Sequence, residues 1–359
     1  MTVARDVALI VVGVTLVVIV IDSAMRTFVL PRGAIVRLTR FVSIAVRKVF
    51  DLRLHFDKTY EARDRTMALY GPISMFALVI LWIVMVVTGF MMMFVAIERI
   101  GWQAAFYQSG SSLFTLGFDP PFGFWAATLG FVEAGIGLGL LALLIAYLPT
   151  IYGAFSRREV LVAHMSARAG TPPSAVDLIR RAHLIGRLDN LDDFWVEWQL
   201  WFAEVQETHT SLPFVNWFRS PEPDRSWITA AGAVLDSAAM VQSTIDTPSQ
   251  PMASLCIRSG YTTLRSIATF FRMPHPDDPA PDDPISIGRD EWEDACRRLE
   301  EAGVPLKADR DQAWRDFQGW RVNYDIPLVM LAGLLIAPYS PWSSDRSIPF
   351  KVRLIRRGD

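Results

Sequence analysis

The sequence predicts an all-α protein whose N-terminal half is embedded in a membrane and whose C-terminal half is a separate helical domain. Three observations carry this. From Met67 to Ile97 there are 31 residues without Asp, Glu, Lys or Arg, and from Pro120 to Ser156 only Glu133 is charged. Each run exceeds the roughly 20 apolar residues needed to cross hydrocarbon. Beyond Arg157-Arg158 the composition turns ordinary and the apolar spacing stays helical, with almost no alternating strand pattern. The 359 residues suffice for two or more folding units, and 35 basic against 37 acidic residues argue against a nucleic-acid partner. The runs divide the chain into 1–66, an N-terminal membrane helix and a basic amphipathic helix; 67–158, a membrane module; and 159–359, the helical domain.

Val7 to Met25 is the first membrane helix, shorter than the other two and broken by Asp22. Arg5 precedes it as in a signal peptide, but Ser23-Ala24-Met25 followed by basic residues is a poor cleavage site, so the segment is expected to be retained. Ten basic residues (Arg26, Arg32, Arg37, Arg40, Arg47, Lys48, Arg53, Lys58, Arg63 and Arg65) follow it, and Arg157-Arg158 close the third run. Both clusters belong on the cytoplasmic side. The expected location is the plasma membrane as a multi-pass protein, with the first helix starting outside and the C-terminal domain in the cytoplasm. Cys256 and Cys296 make no disulfide framework and suit a reducing compartment.

Residues 32–54 form the next element. At about 100° per residue, Arg37, Arg40, Arg47 and Lys48 share one side, and Leu38, Phe41, Val42, Ala45, Val46, Val49 and Leu52 cover the other. A basic amphipathic helix of this kind suits anionic lipids of the inner leaflet. Packing on the soluble domain is the alternative, and Val36 and Ile44 fall on the wrong side of either pattern.

Between the second and third runs, Gly101 to Phe114 is compatible with a short helix, Thr115 to Asp119 follows, and Pro120-Pro121 stops further helix. A plain connector has no use for Trp102, Ala104, Ala105, Phe106, Tyr107, Leu113 and Phe114, which favour burial; a re-entrant half-helix fits them better. Non-helical backbone survives at membrane depth only where protein buries it or it lines a watery cavity. Thr115-Leu116-Gly117-Phe118 here resembles the filter of the potassium channel superfamily, T-V-G-Y-G after a short pore helix. The resemblance covers Met67 to about Ser156, with an outer helix before the loop and an inner helix after it. It implies a pore-loop module, a homotetramer, and an ion path in which the Thr115 hydroxyl and successive carbonyls replace the hydration shell of potassium or another monovalent cation. Asp119 departs from the pattern: the family has a second glycine there, where positive φ is wanted. The outermost ion position and the selectivity therefore stay open. A merely structural hairpin loop is the alternative to a filter.

Phe122 to Phe155 reads as one inner helix with Gly123, Gly130, Gly135, Gly137, Gly139 and Pro149. By the resemblance, Gly135 or Gly137 is the hinge of a gate and Pro149 a second kink; small-residue packing is the other reading. Glu133 lies about 16 Å from Phe122 at about 1.5 Å per residue. A carboxylate at that depth is costly unless it faces water or a partner. It either concentrates cations in a cavity or braces the filter from behind by bonding Ser111 or Ser112; a lipid-interface position is a third possibility.

In the C-terminal half, helices are expected from Pro172-Pro173-Ser174 to about Leu188 and over Leu191–Thr208, Ser226–Ile245, Pro251–Phe271, Arg289–Ala302 and Ala308–Tyr324. Ile326 to Pro338 is apolar but too short to span, so core or interfacial. His209, Ser211 and Asp224 invite a catalytic reading, but no nucleophile elbow or metal spacing accompanies them. Ser220 and Asp224 suit capping turns, and the Pro- and Asp-rich stretch 272–287 suits a solvated linker rather than a divalent-cation site. The expectation is a cation channel, potassium-conducting, with no cofactor, no metal site and no enzymatic activity. A nonselective cation channel and a membrane-anchored signalling or scaffold protein without a pore are the rivals.

Overall fold

Hydropathy and length select three stretches of helix able to cross a membrane: Val3–Phe28, Tyr60–Glu98 and Phe124–Ala169. A computed structural model of the chain describes residues 2–30, 37–57 and 59–347. Residues 32–36 at the head of the amphipathic stretch, with Arg32, and Lys58 of the basic cluster lie outside the described residues. Among the described residues the fold is helical, with one isolated antiparallel bridge between Ile245 and Leu306. By contacts it falls into two units. The first holds the residues up to His55, Leu69–Gly153 and Ser211–Phe214; the second holds Phe56–Ala68, Ala154–Thr210 and the residues from Val215 on.

In the first unit, α1 (Thr2–Phe28) extends three residues beyond the expected Met25. α2 is Arg37–Leu54; α3 (Tyr60–Ala68), which belongs to the second unit, precedes Leu69 and α4 (Tyr70–Glu98), and Pro72 in the first turn of α4 costs no helical hydrogen bond. α1 packs along α4. A Cβ on Gly13 would lie 2.5 Å from the Gly89 carbonyl, and one on Gly89 would lie 2.8 Å from the Gly13 carbonyl. Lipid tails supply no hydrophobic drive between helices, so such close backbone approach and buried hydrogen bonds hold the pair instead. The indole of the fully buried Trp82 donates to Ser23 Oγ at 3.1 Å, and Phe28 stacks edge-on against it at 5.1 Å. α5 (Trp102–Leu113) occupies the place expected for a short helix, one residue inside each end. α6 (Phe124–Ala169) runs 14 residues past the expected end at Phe155, through Pro149 and Arg157-Arg158. Hydropathy falls at Ser156, but nothing there breaks a helix, so the backbone continues.

In the second unit, α7 (Ala175–Leu184) starts on Ser174, whose Oγ accepts from the Asp177 amide at 3.1 Å, and α8 is Asp192–Ser211. A short 3-10 turn, Pro213–Trp217, follows. α9 (Trp227–Ser243) is buried almost throughout and packs on α7, α10 (Pro251–Phe270), α12 (Arg310–Arg321) and α13 (Asp325–Leu335); α11 (Arg289–Glu301) packs on α7. A helix apolar all round belongs in the middle of a core. α13 is buried, as its apolar sequence and short length require. Arg321, fully buried, crosses this core to Asp236, Asp325 and the carbonyl of Trp342, and Tyr324 donates to Asp236 at 2.9 Å.

Candidate functional site

α5 has twelve residues, about 18 Å at the rise of an α-helix, too short to span. It packs against α4. Just past its midpoint Gln108 donates to Glu98 Oε1 at 2.6 Å, which ties it to the end of that helix. At its end the chain closes in a Schellman turn: the Thr115 amide donates to Ser112 O at 3.0 Å and the Leu116 amide to Ser111 O at 2.8 Å. Thr115 takes the left-handed position of that turn at φ 54°. Glycine is the usual occupant, since a Cβ there costs about 1–2 kcal/mol. The Thr115 hydroxyl bonds the Phe114 carbonyl at 2.8 Å. Gly117, two residues on, has φ 74°, where its lack of a Cβ is needed.

Asp119 sits where a second glycine at positive φ was the expectation, and the structure shows how it is accommodated. Positive φ occurs in this loop at Thr115 and Gly117 but not at Asp119. Pro120 follows and holds its predecessor extended, and the Asp119 amide donates to Ser111 Oγ at 3.1 Å. Ser111 thus grips both ends of the loop, Leu116 through its carbonyl and Asp119 through its hydroxyl. Leu116 and Phe118 lie outward, 62% and 60% exposed in the single chain.

Glu133 is fully buried and bonds Ser109 at 2.5 Å, not Ser111 or Ser112. Ser109 Oγ also lies 3.3 Å from the Val87 carbonyl, so three helices, α4, α5 and α6, meet on one hydroxyl. Ser109 escaped the sequence reading because both serines nearer the loop looked better placed. The signal was the heptad-like step from Gly130 to Glu133 to Gly137, which puts all three on one face of α6. That face meets α5. A Cβ on Gly130 would lie 3.2 Å from Ser112 Oγ, and one on Gly137 would lie 2.2 Å from the Leu113 carbonyl. Gly137 is a close-approach residue, whereas Gly135 and Gly139 have open space in the chain. Pro149 lies inside the continuous α6. Phe131, Leu138, Leu141 and Ile145 recur along the exposed face of α6, whose apolar window is 17% buried against 44% for the span that contains α4.

Of the residues that invited a catalytic reading, His209 has a structural role. His209 is fully buried, and Arg158 Nη1 donates to its Nε2 at 3.1 Å, which leaves the ring proton on Nδ1. Burial first, and then the Arg158 charge, hold His209 well below the usual histidine range. Arg158 also bonds the carbonyls of Val215 at 3.2 Å and Phe218 at 2.7 Å, and the Trp201 indole caps its own carbonyl at 3.0 Å. Ser220 does not cap a helix: its Oγ is buried with no hydrogen-bond partner among the described residues, and α9 starts on Ser226. The stretch 272–287 is largely exposed, as a solvated linker should be, and is also tied to the helices around it. Arg265 holds the Asp277 carbonyl at 2.8 Å, Gln318 the carbonyls of Asp282 and Asp283, and Asp325 takes both the amide and hydroxyl of Ser286. Among the described residues no group of three or more His, Cys, Asp or Glu side chains is placed to hold a metal ion. No family model matches the chain, and neither a curated protein nor a solved structure does.

Proposed function

We propose that the chain is the subunit of a homotetrameric cation channel of the plasma membrane, potassium-conducting, with Thr115–Asp119 as its filter and its C-terminal domain in the cytoplasm. One observation carries the reading: a twelve-residue helix between two membrane-length helices ends in a loop with left-handed backbone at alternate residues, Thr115 and Gly117. A turn that needed only to reverse the chain would place glycine at 115. A β-branched residue kept at a backbone cost points to a job for its hydroxyl or its geometry. Glu133 takes the bracing role, since a carboxyl buried inside its own chain and bonded to Ser109 offers no charge to a cavity. Gly135, free of close neighbours, serves as the hinge with Pro149, and Gly137 seats the pore helix. The exposed apolar face of α6 asks for partners, which neighbouring subunits and lipid supply.

A second reading, a nonselective cation channel, is favoured by Asp119. The test is ion flux through purified protein in liposomes, with the reversal potential measured under a potassium gradient. Selective conduction gives a reversal potential that follows potassium; one that ignores the gradient selects the nonselective reading. An assembled tetramer without flux ends both and leaves a membrane-anchored scaffold.

A further inference from the structure

Within the first unit α2 has two unlike faces. Thr39 and Val42 are buried, and Thr39 Oγ1 lies 3.1 Å from Thr27 Oγ1 near the end of α1. Tyr70, the first residue of α4, donates to the Ser43 carbonyl at 3.0 Å and meets the Phe50 ring edge-on at 5.5 Å. α2 is thereby fastened to the last turn of one membrane helix and the first turn of another. Both ends lie among the basic residues that mark the cytoplasmic side, so the fastening holds α2 at the depth where the two spans leave the hydrocarbon.

The opposite face is uncovered. Phe41, Val49 and Leu52 are 64%, 67% and 68% exposed, and Ala45 is exposed between them. At about 100° per residue these four fall within about 80° of one another. Arg37 and Lys48, both exposed, flank the stripe on one side, and Arg53 lies on the other. Arg47 is not part of this set: it pairs with Asp51 at 2.8 Å and lies over the Tyr70 ring.

We propose that α2 is an in-plane lipid anchor, its Phe41–Ala45–Val49–Leu52 stripe seated in the acyl boundary of the cytoplasmic leaflet and Arg37, Lys48 and Arg53 holding anionic phospholipid headgroups. Continuity argues for lipid: the stripe lies beside two helices long and apolar enough to span, at their ends, so the bilayer that surrounds them reaches it. Charge argues for anionic lipid, because among the described residues none of the three exposed cations at the edges of the stripe has a carboxylate partner, and the nearby Asp51 is paired with Arg47. The inference stands apart from conduction: a scaffold with the same helices would carry the same anchor.

The test uses the full chain in nanodiscs. Cys256 and Cys296 are buried, so a spin label on Val49→Cys reports the stripe selectively. The label is expected to collide more with oxygen than with an aqueous nickel chelate, and a fluorophore at the same site to be quenched by brominated lipid. Amide exchange over α2 in the unlabelled wild type should slow when phosphatidylserine is added to phosphatidylcholine, by about fivefold for each basic residue at the surface. The triple variant Arg37→Gln, Lys48→Gln, Arg53→Gln should lose that lipid-dependent slowing. A label as open to the nickel chelate as one on the exposed Glu293 overturns the proposal. So does a shielded label indifferent to brominated lipid, which would mean that protein covers the stripe. Exchange unaffected by phosphatidylserine removes the headgroup half of the proposal.

Discussion

Gly137→Ala is the sharpest perturbation of the seat of α5 on α6. The added methyl would lie 2.2 Å from the Leu113 carbonyl oxygen and 3.0 Å from Leu113 Cδ1. The first contact is backbone, at the last residue of α5, and cannot swing aside like a side chain. Ordinary van der Waals contact begins near 3.4 Å, so the end of α5 must retreat by about 1.2 Å, or α6 must bend away. Overpacking of this kind costs about 1–3 kcal/mol, and a clash with a carbonyl belongs at the upper end. Alanine returns about 1 kcal/mol of helix propensity, which leaves about 2 kcal/mol of net destabilisation. Gly135→Ala gains the same propensity into open space, so the two variants should differ by about 3 kcal/mol. At about 2–4 °C per kcal/mol for a unit of this size, Gly137→Ala should melt about 6–12 °C below Gly135→Ala in detergent, followed by tryptophan fluorescence and gel filtration. In the channel proposed above, flux should also fall in Gly137→Ala, because Leu113 ends the helix that leads into the loop. If Gly137→Ala melts at or above Gly135→Ala, the close seating of α5 on α6 is wrong.

Three further outcomes are expected. Glu133→Gln keeps the size of the side chain and can donate to Ser109 while Ser109 donates to Val87, so the protein should remain folded with conductance near wild type, whereas Glu133→Ala should lose about 2–4 kcal/mol through the cavity and the lost bond between α6 and α5. Single-channel conductance that drops in the glutamine variant would move the carboxylate into the ion path. Thr115→Gly relieves the left-handed backbone, so thermal stability should hold or rise by about 1 kcal/mol while potassium selectivity falls; unaltered selectivity would reduce Thr115 to a helix cap. His209 is held neutral in the fold and protonates near 6.5 when unfolded. Its folded value is depressed, so it adds no pH dependence above 6.5, and stability should fall as pH drops below that, by at most about 1.4 kcal/mol per pH unit for this one group. Urea unfolding between pH 7 and 5 should show a shallower slope for His209→Gln, and an equal slope would assign the acid sensitivity elsewhere.

Much of the fold was legible in the sequence because it follows from local rules. Two long apolar runs, one free of charge and one interrupted only by Glu133, and a third near the N-terminus are long enough to cross hydrocarbon, where a helix satisfies the backbone within its own segment. Gly101 before an aromatic stretch marks the start of α5 to within a residue, and Ser174 and Pro251 announce the helices they begin. Glycine at 117 announces a left-handed backbone there. The α6 boundary was misjudged because hydropathy ends at Ser156 while helix formation does not.

Partner choice was decided by the tertiary structure. Ser109 rather than Ser111 meets Glu133, because the axial offset of α5 on α6 is set by the glycines that let their backbones touch. Gly137 and Gly135 look alike in sequence, and one is pressed on a carbonyl while the other is open, because two residues along a helix is a turn of about 200°. Asp119 escaped the positive φ its position implied because Pro120 and the Ser111 hydroxyl hold it extended. The apolar side of α2, uniform on a wheel, is divided by α1 and α4 into a buried edge and an exposed stripe. Periodicity determines which residues share a face, and only the packing of the other helices determines what each face meets.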